Sequence, residues 1–187
     1  IIDASVDPAK IIDYINAHDL ILEKIFITHT HFDHIKYINN LIINFPIIEV
    51  CGHKKPEKKL TRNYTGFEEY QTIALGSELI TILFTPGHYP DSICFWNKKD
   101  NVLFTGDTMF VGRTGRTIGK KSSINQLYSS IYNIILKLSK NTEIYPGHHY
   151  GFKKSITILD NIRLSNFFQC KSLSEFITVM KNFEKSR

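Results

Sequence analysis

Three histidines and an aspartate within six residues constrain this chain more than any other feature of its sequence. The segment His29-Thr30-His31-Phe32-Asp33-His34 directly follows an apolar run, Ile25-Phe26-Ile27-Thr28, that indicates a buried strand. Burying so many titratable groups side by side costs free energy unless a cation compensates for them. His29 and His31, two residues apart on an extended segment, can place their imidazoles on the same side. The segment therefore predicts a metal site at the end of a strand.

Further candidate ligands follow the ends of other apolar strands. They lie in the segments Thr85-Pro86-Gly87-His88, Thr105-Gly106-Asp107 and Tyr145-Pro146-Gly147-His148. Strands that lie side by side in a sheet would bring these loops together, and zinc binds neutral imidazole and carboxylate well. A first metal can take His29, His31 and His88, and a second can take Asp33, His34 and His148. Asp107 can bridge the two metals, which at roughly 3.5–4 Å apart can share a hydroxide as the nucleophile.

Any one of these residues alone would have an ordinary explanation. A lone histidine is more often a surface or core residue, and an aspartate after a glycine, as at Asp107, is typical of a turn. The whole set in this arrangement favours metal binding. The other three histidines, His18, His53 and His149, are not expected to bind a metal directly. His149 could act in the outer shell of the site beside its neighbour His148.

Length and composition suit one domain that spans residues 1–187. Hydrophobic residues make up 42% of the chain, which is enough for a sizeable core. No apolar run approaches the roughly 18 residues of a membrane-spanning helix. The sequence starts with Ile1 and not Met, so the chain is expected to be truncated or processed at its start. The widely spaced Cys51, Cys94 and Cys170 indicate reduced thiols, and hence a cytoplasmic protein.

The net charge of +5 is scattered along the chain, with one denser run at Lys54-Lys55-Pro56-Glu57-Lys58-Lys59. We interpret that run as part of a solvated loop over Lys54–Gly66, not as a nucleic-acid patch. A basic surface could equally attract an anionic small substrate. We therefore expect a small-molecule partner and neither a nucleic acid nor a membrane.

Strand-like and helix-like segments alternate, which indicates a layered α/β fold. Apolar spacing predicts a helix over residues 35–45 and another from Ser123 to about Leu138, where Ser123 and Gln126 form a capping box. The C-terminal part, residues 155–187, is expected to be helical.

The pattern His29-x-His31-x-Asp33-His34, with His88, Asp107 and His148 downstream, is similar to the ligand pattern of the metallo-β-lactamase superfamily. The resemblance covers about Ile1 to about Tyr150. It implies an αββα sandwich, in which two mixed β-sheets are flanked by helices, and it implies the same two ligand groups with Asp107 as the bridge. Family members usually begin with extra strands before Ile1, so the first sheet is expected to lack its N-terminal strands.

Within that superfamily the chain most resembles glyoxalase II and the persulfide dioxygenases. The glyoxalase II resemblance places Arg116 near glutathione and matches Tyr150 to a tyrosine that contacts the thiol peptide. Arg113 carries a further positive charge that could hold an anionic tail of the substrate. The aromatic pair that follows the basic residue in glyoxalase II is replaced here by Thr117-Ile118. The acidic, aromatic and amide residues of the dioxygenases are also absent, so the substrate stays open.

These observations predict a metal-dependent hydrolase of a thioester such as an acylglutathione, with two zinc ions, a metal-bound hydroxide and Asp33 and Asp107 as catalytic carboxylates. A thiolate is a good leaving group, so no strong general acid is required. The alternative is a persulfide dioxygenase with one iron held by positions matching His29, His88 and Asp107. A third hypothesis is an inactive binding module, which retention of all the ligands argues against.

Overall fold

The computed structural model describes residues 1–185. Its α-helices are α1 (Pro8–Ala17), α2 (Phe32–Ile35), α3 (Ile38–Asn44), α4 (Ile124–Ser129), α5 (Ile158–Leu164) and α6 (Leu173–Lys185). Its strands are β1 (Lys24–Phe26), β2 (Glu49–His53), β3 (Tyr64–Phe67), β4 (Thr72–Leu75), β5 (Glu78–Phe84), β6 (Ile93–Asn97), β7 (Val102–Gly106), β8 (Met109–Phe110), β9 (Arg113–Thr114), β10 (Glu143–Pro146) and β11 (Ile156–Thr157).

The strands form two main sheets of unequal size. The small sheet has the order β1-β2-β3 with parallel pairing, and Ile2 adds an isolated parallel bridge to Phe26. The large sheet has the order β11-β10-β7-β6-β5-β4. It is mixed, because β10 and β7 pair in parallel whereas all other neighbouring strands of this sheet pair antiparallel. Strands β8 and β9 make a separate short ribbon.

Alternation along the strands sorts the core into layers, since successive side chains point to opposite faces of a sheet. Phe26 packs between the two sheets with Phe95, whereas the neighbouring Ile25 packs on the outer side of the small sheet against α1 and α3. Leu103 of the large sheet faces the outer layer, where α4 and α6 pack. Helices therefore cover both outer faces of two stacked sheets, and the predicted αββα arrangement is confirmed.

Two local predictions were correct only in part. The expected loop over Lys54–Gly66 ends in β3, which the sequence did not indicate. This strand is held by backbone pairing with β2 and by the Tyr64 hydroxyl, which donates to the His53 carbonyl at 2.7 Å. The expected helix over residues 35–45 is interrupted between α2 and α3. Backbone hydrogen bonds from Ala4 to the His34 carbonyl, and from Tyr37 to the Ala4 carbonyl, interrupt it.

The helix predicted from Ser123 begins there, with the Ser123 side chain accepting from the backbone N–H of Gln126. Beyond Ser129 it widens into a π-helical turn over Ser130–Ile134 and closes with a 3-10 turn over Ile135–Lys137. Turns of this kind often occur at functional sites. Here the buried Ser130 hydroxyl donates to the Pro86 carbonyl at 2.7 Å, which holds the loop that carries His88.

The C-terminal part contains β11, α5, a short 3-10 helix and α6, and its buried residues Phe176 and Met180 join the outer core of the large sheet. The end of the predicted segment, residues 186–187, lies outside the described residues. Cys51, Cys94 and Cys170 are buried and unpaired, as expected. Among residues 1–185, no helix is both long and apolar enough to cross a membrane.

Candidate metal centre

The ligand loops meet because of strand direction. Strand β6 runs antiparallel to both β5 and β7, and β10 runs parallel to β7. The carboxyl ends of β5, β7 and β10 therefore lie at one edge of the large sheet, and they lead into His88, Asp107 and His148. The loop after β1 reaches the same edge through two contacts. Ile93 N–H donates to the Thr28 carbonyl at 2.8 Å, and Thr30 Oγ1 donates to Asp91 at 2.6 Å.

The first group of side chains is His29, His31 and His88, called here the three-histidine group. His31 Nδ1 lies 2.9 Å from His29 Nε2 and 3.0 Å from His88 Nε2. A tetrahedral zinc with Zn–N bonds near 2.0–2.1 Å requires ligand atoms about 3.3 Å apart. The three nitrogens are thus spaced as neighbouring ligands of one ion.

The second group is Asp33, His34 and His148, called here the mixed group. His148 Nε2 lies 3.1 Å from Asp33 Oδ2 and 3.2 Å from His34 Nε2. His34 Nε2 and Asp33 Oδ2 are 3.7 Å apart. The three ligand atoms again fall within the reach of one cation.

Asp107 lies between the two groups. Its Oδ1 is 3.3 Å from His34 Nε2, and its Oδ2 is 3.5 Å from His148 Nε2 and 3.7 Å from His88 Nε2. Oδ1 is buried and has no hydrogen bond from the described residues. A buried carboxylate oxygen without a donor is costly, and a cation would satisfy it. The position fits a bridging ligand.

Outer contacts set which ring nitrogen faces the centre in three of the five ligand histidines. The Nδ1 atoms of His29, His34 and His88 contact Thr28 Oγ1 at 3.2 Å, Asp3 Oδ2 at 2.7 Å and the Arg116 carbonyl at 2.9 Å, respectively. With Nδ1–H donated outward, Nε2 keeps its lone pair for an ion. Imidazoles that bind metals usually donate their other N–H in this way. The donor set and its orientation therefore fit a pair of zinc or similar ions.

Asp3 is the residue of this centre that sequence reasoning missed. It is buried, it adopts a positive φ of 57°, and its carboxylate also accepts from the backbone N–H and hydroxyl of Thr28 at 2.8 Å each. The available signal was that Asp3 ends the apolar pair Ile1-Ile2, just as the other acidic and histidine ligands follow apolar strands. Asp3 holds the loop after β1 and His34 at once.

The electrostatics of the metal-free centre are those of crowded titratable groups. Burial, reinforced by neighbouring imidazoles, lowers the pKa of His29 well below its usual value and also lowers the pKa of His31. Burial opposes charge on His34 as well, but contacts with Asp107 and Asp3 outweigh it and raise the pKa of His34 to about 10. Burial likewise works against ionisation of Asp107, yet His34 and the other imidazoles lower its pKa. A cation entering the mixed group must displace the His34 proton.

The three residues predicted to contact substrate line one cavity beside the metal centre. It has a volume of about 250 Å³ and reaches His88 and Asp107 at its base. Arg113, Arg116 and Tyr150 form part of its wall, and the Arg113 guanidinium lies 4.2 Å from the centre of the Tyr150 ring. The cavity therefore combines aromatic surface with positive charge.

Among the described residues, the three histidines that were expected not to be ligands belong to none of the candidate ligand groups. His18 contacts the Tyr14 carbonyl at 2.8 Å, and His53 contacts the Lys55 carbonyl at 3.1 Å. His149 is exposed.

Comparison with known proteins identifies the class. The sequence profile of the Metallo-beta-lactamase superfamily matches residues 1–148, and the chain belongs to that superfamily. Similar proteins include a hydroxyacylglutathione hydrolase and ETHE1.

The individual similarities are as follows. The chain is 34% identical over 148 residues to a hydroxyacylglutathione hydrolase of Francisella tularensis subsp. novicida. The aligned region covers 78% of this chain and 58% of that protein. It is 27% identical over 179 residues to a probable polyketide biosynthesis zinc-dependent hydrolase, PksB, of Bacillus subtilis, covering 95% of this chain and 79% of that one. The crystal structure of ETHE1 from Myxococcus xanthus superposes with a TM-score of 0.86 at 29% identity, covering 97% and 79% of the two chains. The chain thus spans little more than half the length of the hydroxyacylglutathione hydrolase.

Proposed function

We propose that this protein hydrolyses thioesters of small anionic thiols, such as acylglutathiones, at a centre of two zinc ions. The position of Asp107 carries the proposal. Its carboxylate contacts imidazoles of both ligand groups, at 3.3 Å for His34 and 3.7 Å for His88, and its buried Oδ1 makes no regular hydrogen bond with any of residues 1–185. Two zinc ions held by these residues would supply a hydroxide at neutral pH and would polarise the carbonyl of the substrate.

The two acidic residues of the centre have different environments and so suit different tasks. The Asp107 side chain is only 10% exposed, so its part is to keep the two ligand groups at a fixed separation. The Asp33 side chain is 56% exposed and faces the solvent. Asp33 is placed to accept a hydrogen bond from the attacking water and to orient it. No further acid is required, because a thiolate leaves without protonation.

The cavity beside the centre supports an anionic substrate of modest size. Arg113 and Arg116 provide positive charge, and Phe110, Tyr150 and Phe183 provide apolar walls within about 250 Å³. A guanidinium pairs well with a carboxylate because its donors form a planar fork. The similarity to a hydroxyacylglutathione hydrolase agrees with a substrate that has carboxylates on its thiol half.

A second candidate is persulfide oxidation at a single iron. His29 shares one candidate ligand group with His88 and another with Asp107, and His88 Nε2 lies 3.7 Å from Asp107 Oδ2. Two imidazoles and a carboxylate on one face of an ion would leave open positions for oxygen and sulfur. The same side chains serve either reaction, so the resident metal decides between them.

The test is metal analysis of protein purified without added metal, combined with two assays. Two zinc ions per chain and release of thiol from an acylglutathione are the expected results. One iron per chain with oxygen uptake from glutathione persulfide would replace hydrolysis by the second candidate. Protein that binds neither metal under saturating conditions would contradict both.

A further inference from the structure

One peptide group links the C-terminal helix to a proposed metal ligand. The backbone N–H of Thr117 donates to Glu184 Oε1 at 2.7 Å, and the Thr117 hydroxyl donates to the same oxygen at 3.1 Å. The carbonyl of the same peptide group, that of Arg116, accepts from His88 Nδ1 at 2.9 Å. In a planar trans peptide the N–H and C=O point in opposite directions. Glu184 and His88 therefore hold the two ends of one rigid unit.

The helix that carries Glu184 is itself firmly seated against this loop. Met180 is fully buried, and the Thr114 hydroxyl lies 3.2 Å from its sulfur. Phe183 lines the cavity beside the centre. Residues 180, 183 and 184 share one face of α6 because side chains three and four positions apart are neighbours on a helix. That face contacts the segment from β9 to Thr117 at Arg113, Thr114 and Thr117.

We propose that Glu184 is a positioning residue for the three-histidine group, acting through the Arg116–Thr117 peptide to orient His88. This inference rests on the proposed metal-dependent function. A carboxylate that accepts the peptide N–H polarises the peptide and makes its carbonyl a stronger acceptor, because hydrogen bonds in a chain reinforce one another. The stronger His88 Nδ1–H···O bond keeps the ring in place and directs the Nε2 lone pair at the ion.

The effect is confined to one half of the centre. Of the proposed ligands, His88 alone contacts the Arg116 carbonyl, whereas His34 depends on Asp3. Loss of the Glu184 carboxylate should therefore weaken the ion in the three-histidine group and leave the ion in the mixed group nearly unchanged.

The experiment uses the full chain with two changes at Glu184 and two controls. Glu184→Ala removes the acceptor, and Glu184→Gln keeps its shape but not its charge. Thr117→Val removes the hydroxyl contact and keeps the peptide N–H. Glu175→Gln alters another α6 carboxylate, which accepts from the Lys171 N–H at 2.8 Å as part of the helix start. Stepwise zinc affinities are measured by competition with a chelator, and thermal unfolding is measured on the metal-free proteins.

We expect Glu184→Ala to lower the binding affinity for one of the two zinc ions about 10–100-fold, which is the usual effect of losing an outer-shell partner. Glu184→Gln should show a smaller loss at the same ion, and both controls should retain wild-type affinities. Unchanged zinc affinity in Glu184→Ala would overturn the proposal. So would an equal loss of both ions together with earlier unfolding of the metal-free protein, since that is a structural effect, and so would a loss in Thr117→Val as large as in Glu184→Ala. Wild-type protein without zinc affinity would instead refute the proposed function, and this inference with it.

Discussion

The three-histidine group and the mixed group come from the same edge of the fold but differ in how firmly they are held. In the three-histidine group, His29 is 1% exposed and His88 is tied to a backbone carbonyl. In the mixed group His34 is fully buried, but the side chains of His148 and Asp33 are 25% and 56% exposed. The mixed group thus has one anchored ligand and two that solvent reaches. Its ion should bind more weakly and should depend on the contacts of His34.

The largest expected effect comes from the residue that both groups share. Asp107→Asn keeps the size of the side chain and removes its charge. We expect loss of at least one metal ion and a fall in turnover by about two or more orders of magnitude, because both nucleophile generation and charge stabilisation depend on the pair of ions. Metal analysis and a thioester assay on this variant give the answer.

Thermal unfolding of the metal-free Asp107→Asn protein is the control. The strand that precedes Asp107 is held by buried residues such as Leu103, so the fold should persist. A turn residue would behave in the opposite way, with lower stability and unchanged metal content. That result would remove Asp107 from the centre and the two-metal mechanism with it.

A substitution at Asp3 is expected to affect the two groups differently, because Asp3 directly contacts the ligand His34 of the mixed group. Asp3→Asn replaces the carboxylate that accepts from His34 Nδ1 at 2.7 Å. Since outer-shell partners are typically worth 10–100-fold in metal affinity, we expect about that loss for the ion in the mixed group. The ion in the three-histidine group should be affected less. Stepwise zinc titration measures both, and equal weakening of the two ions would contradict the division drawn here.

A smaller effect is expected from crowding the mixed group. A Cβ added at Gly147 would lie 2.7 Å from Asp107 Oδ1 and 2.8 Å from His34 Cε1. Gly147→Ala should therefore displace these side chains and lower zinc affinity about tenfold, at the low end for disturbed outer contacts. Gly119→Ala is the matched control, because its nearest neighbour would be Ser122 Oγ at 4.0 Å. If both variants bind zinc alike, the space around Gly147 has no part in the centre.

The parts of the centre that could be predicted from the sequence are those that leave a residue type behind. His29 and His31 stand out because imidazoles beside a buried strand have few other uses. Asp107 and His148 could also be recognised, because each follows an apolar run that predicts a strand. The alternation of strand-like and helix-like segments predicted a layered α/β fold, and the resemblance to the metallo-β-lactamase superfamily predicted the αββα sandwich.

What could not be predicted depends on single polar residues or on the backbone. A lone aspartate after two isoleucines, as at Asp3, is typical of a turn and carries no sign of its contact with His34. The Arg116 carbonyl that orients His88 leaves no trace in the sequence at all. Strand β3 was missed because backbone pairing with β2, and not an apolar pattern, holds it in place.

The smallest expected effect tests whether the sensitivity of the mixed group is specific to Asp3. Asp7 lies four residues further along and accepts from the backbone N–H of Ala9 at 3.0 Å, which caps α1. Asp7→Ala should cost about 1 kcal/mol of folding free energy, as for other helix caps. In a chain of this size that lowers the unfolding temperature by about 2–4 °C. Zinc affinity should not change, because Asp7 contacts the helix and not His34. If Asp7→Ala weakened the mixed-group ion as much as Asp3→Asn does, general loosening beside the small sheet would explain both results, and the role of Asp3 as the anchor of His34 would be wrong.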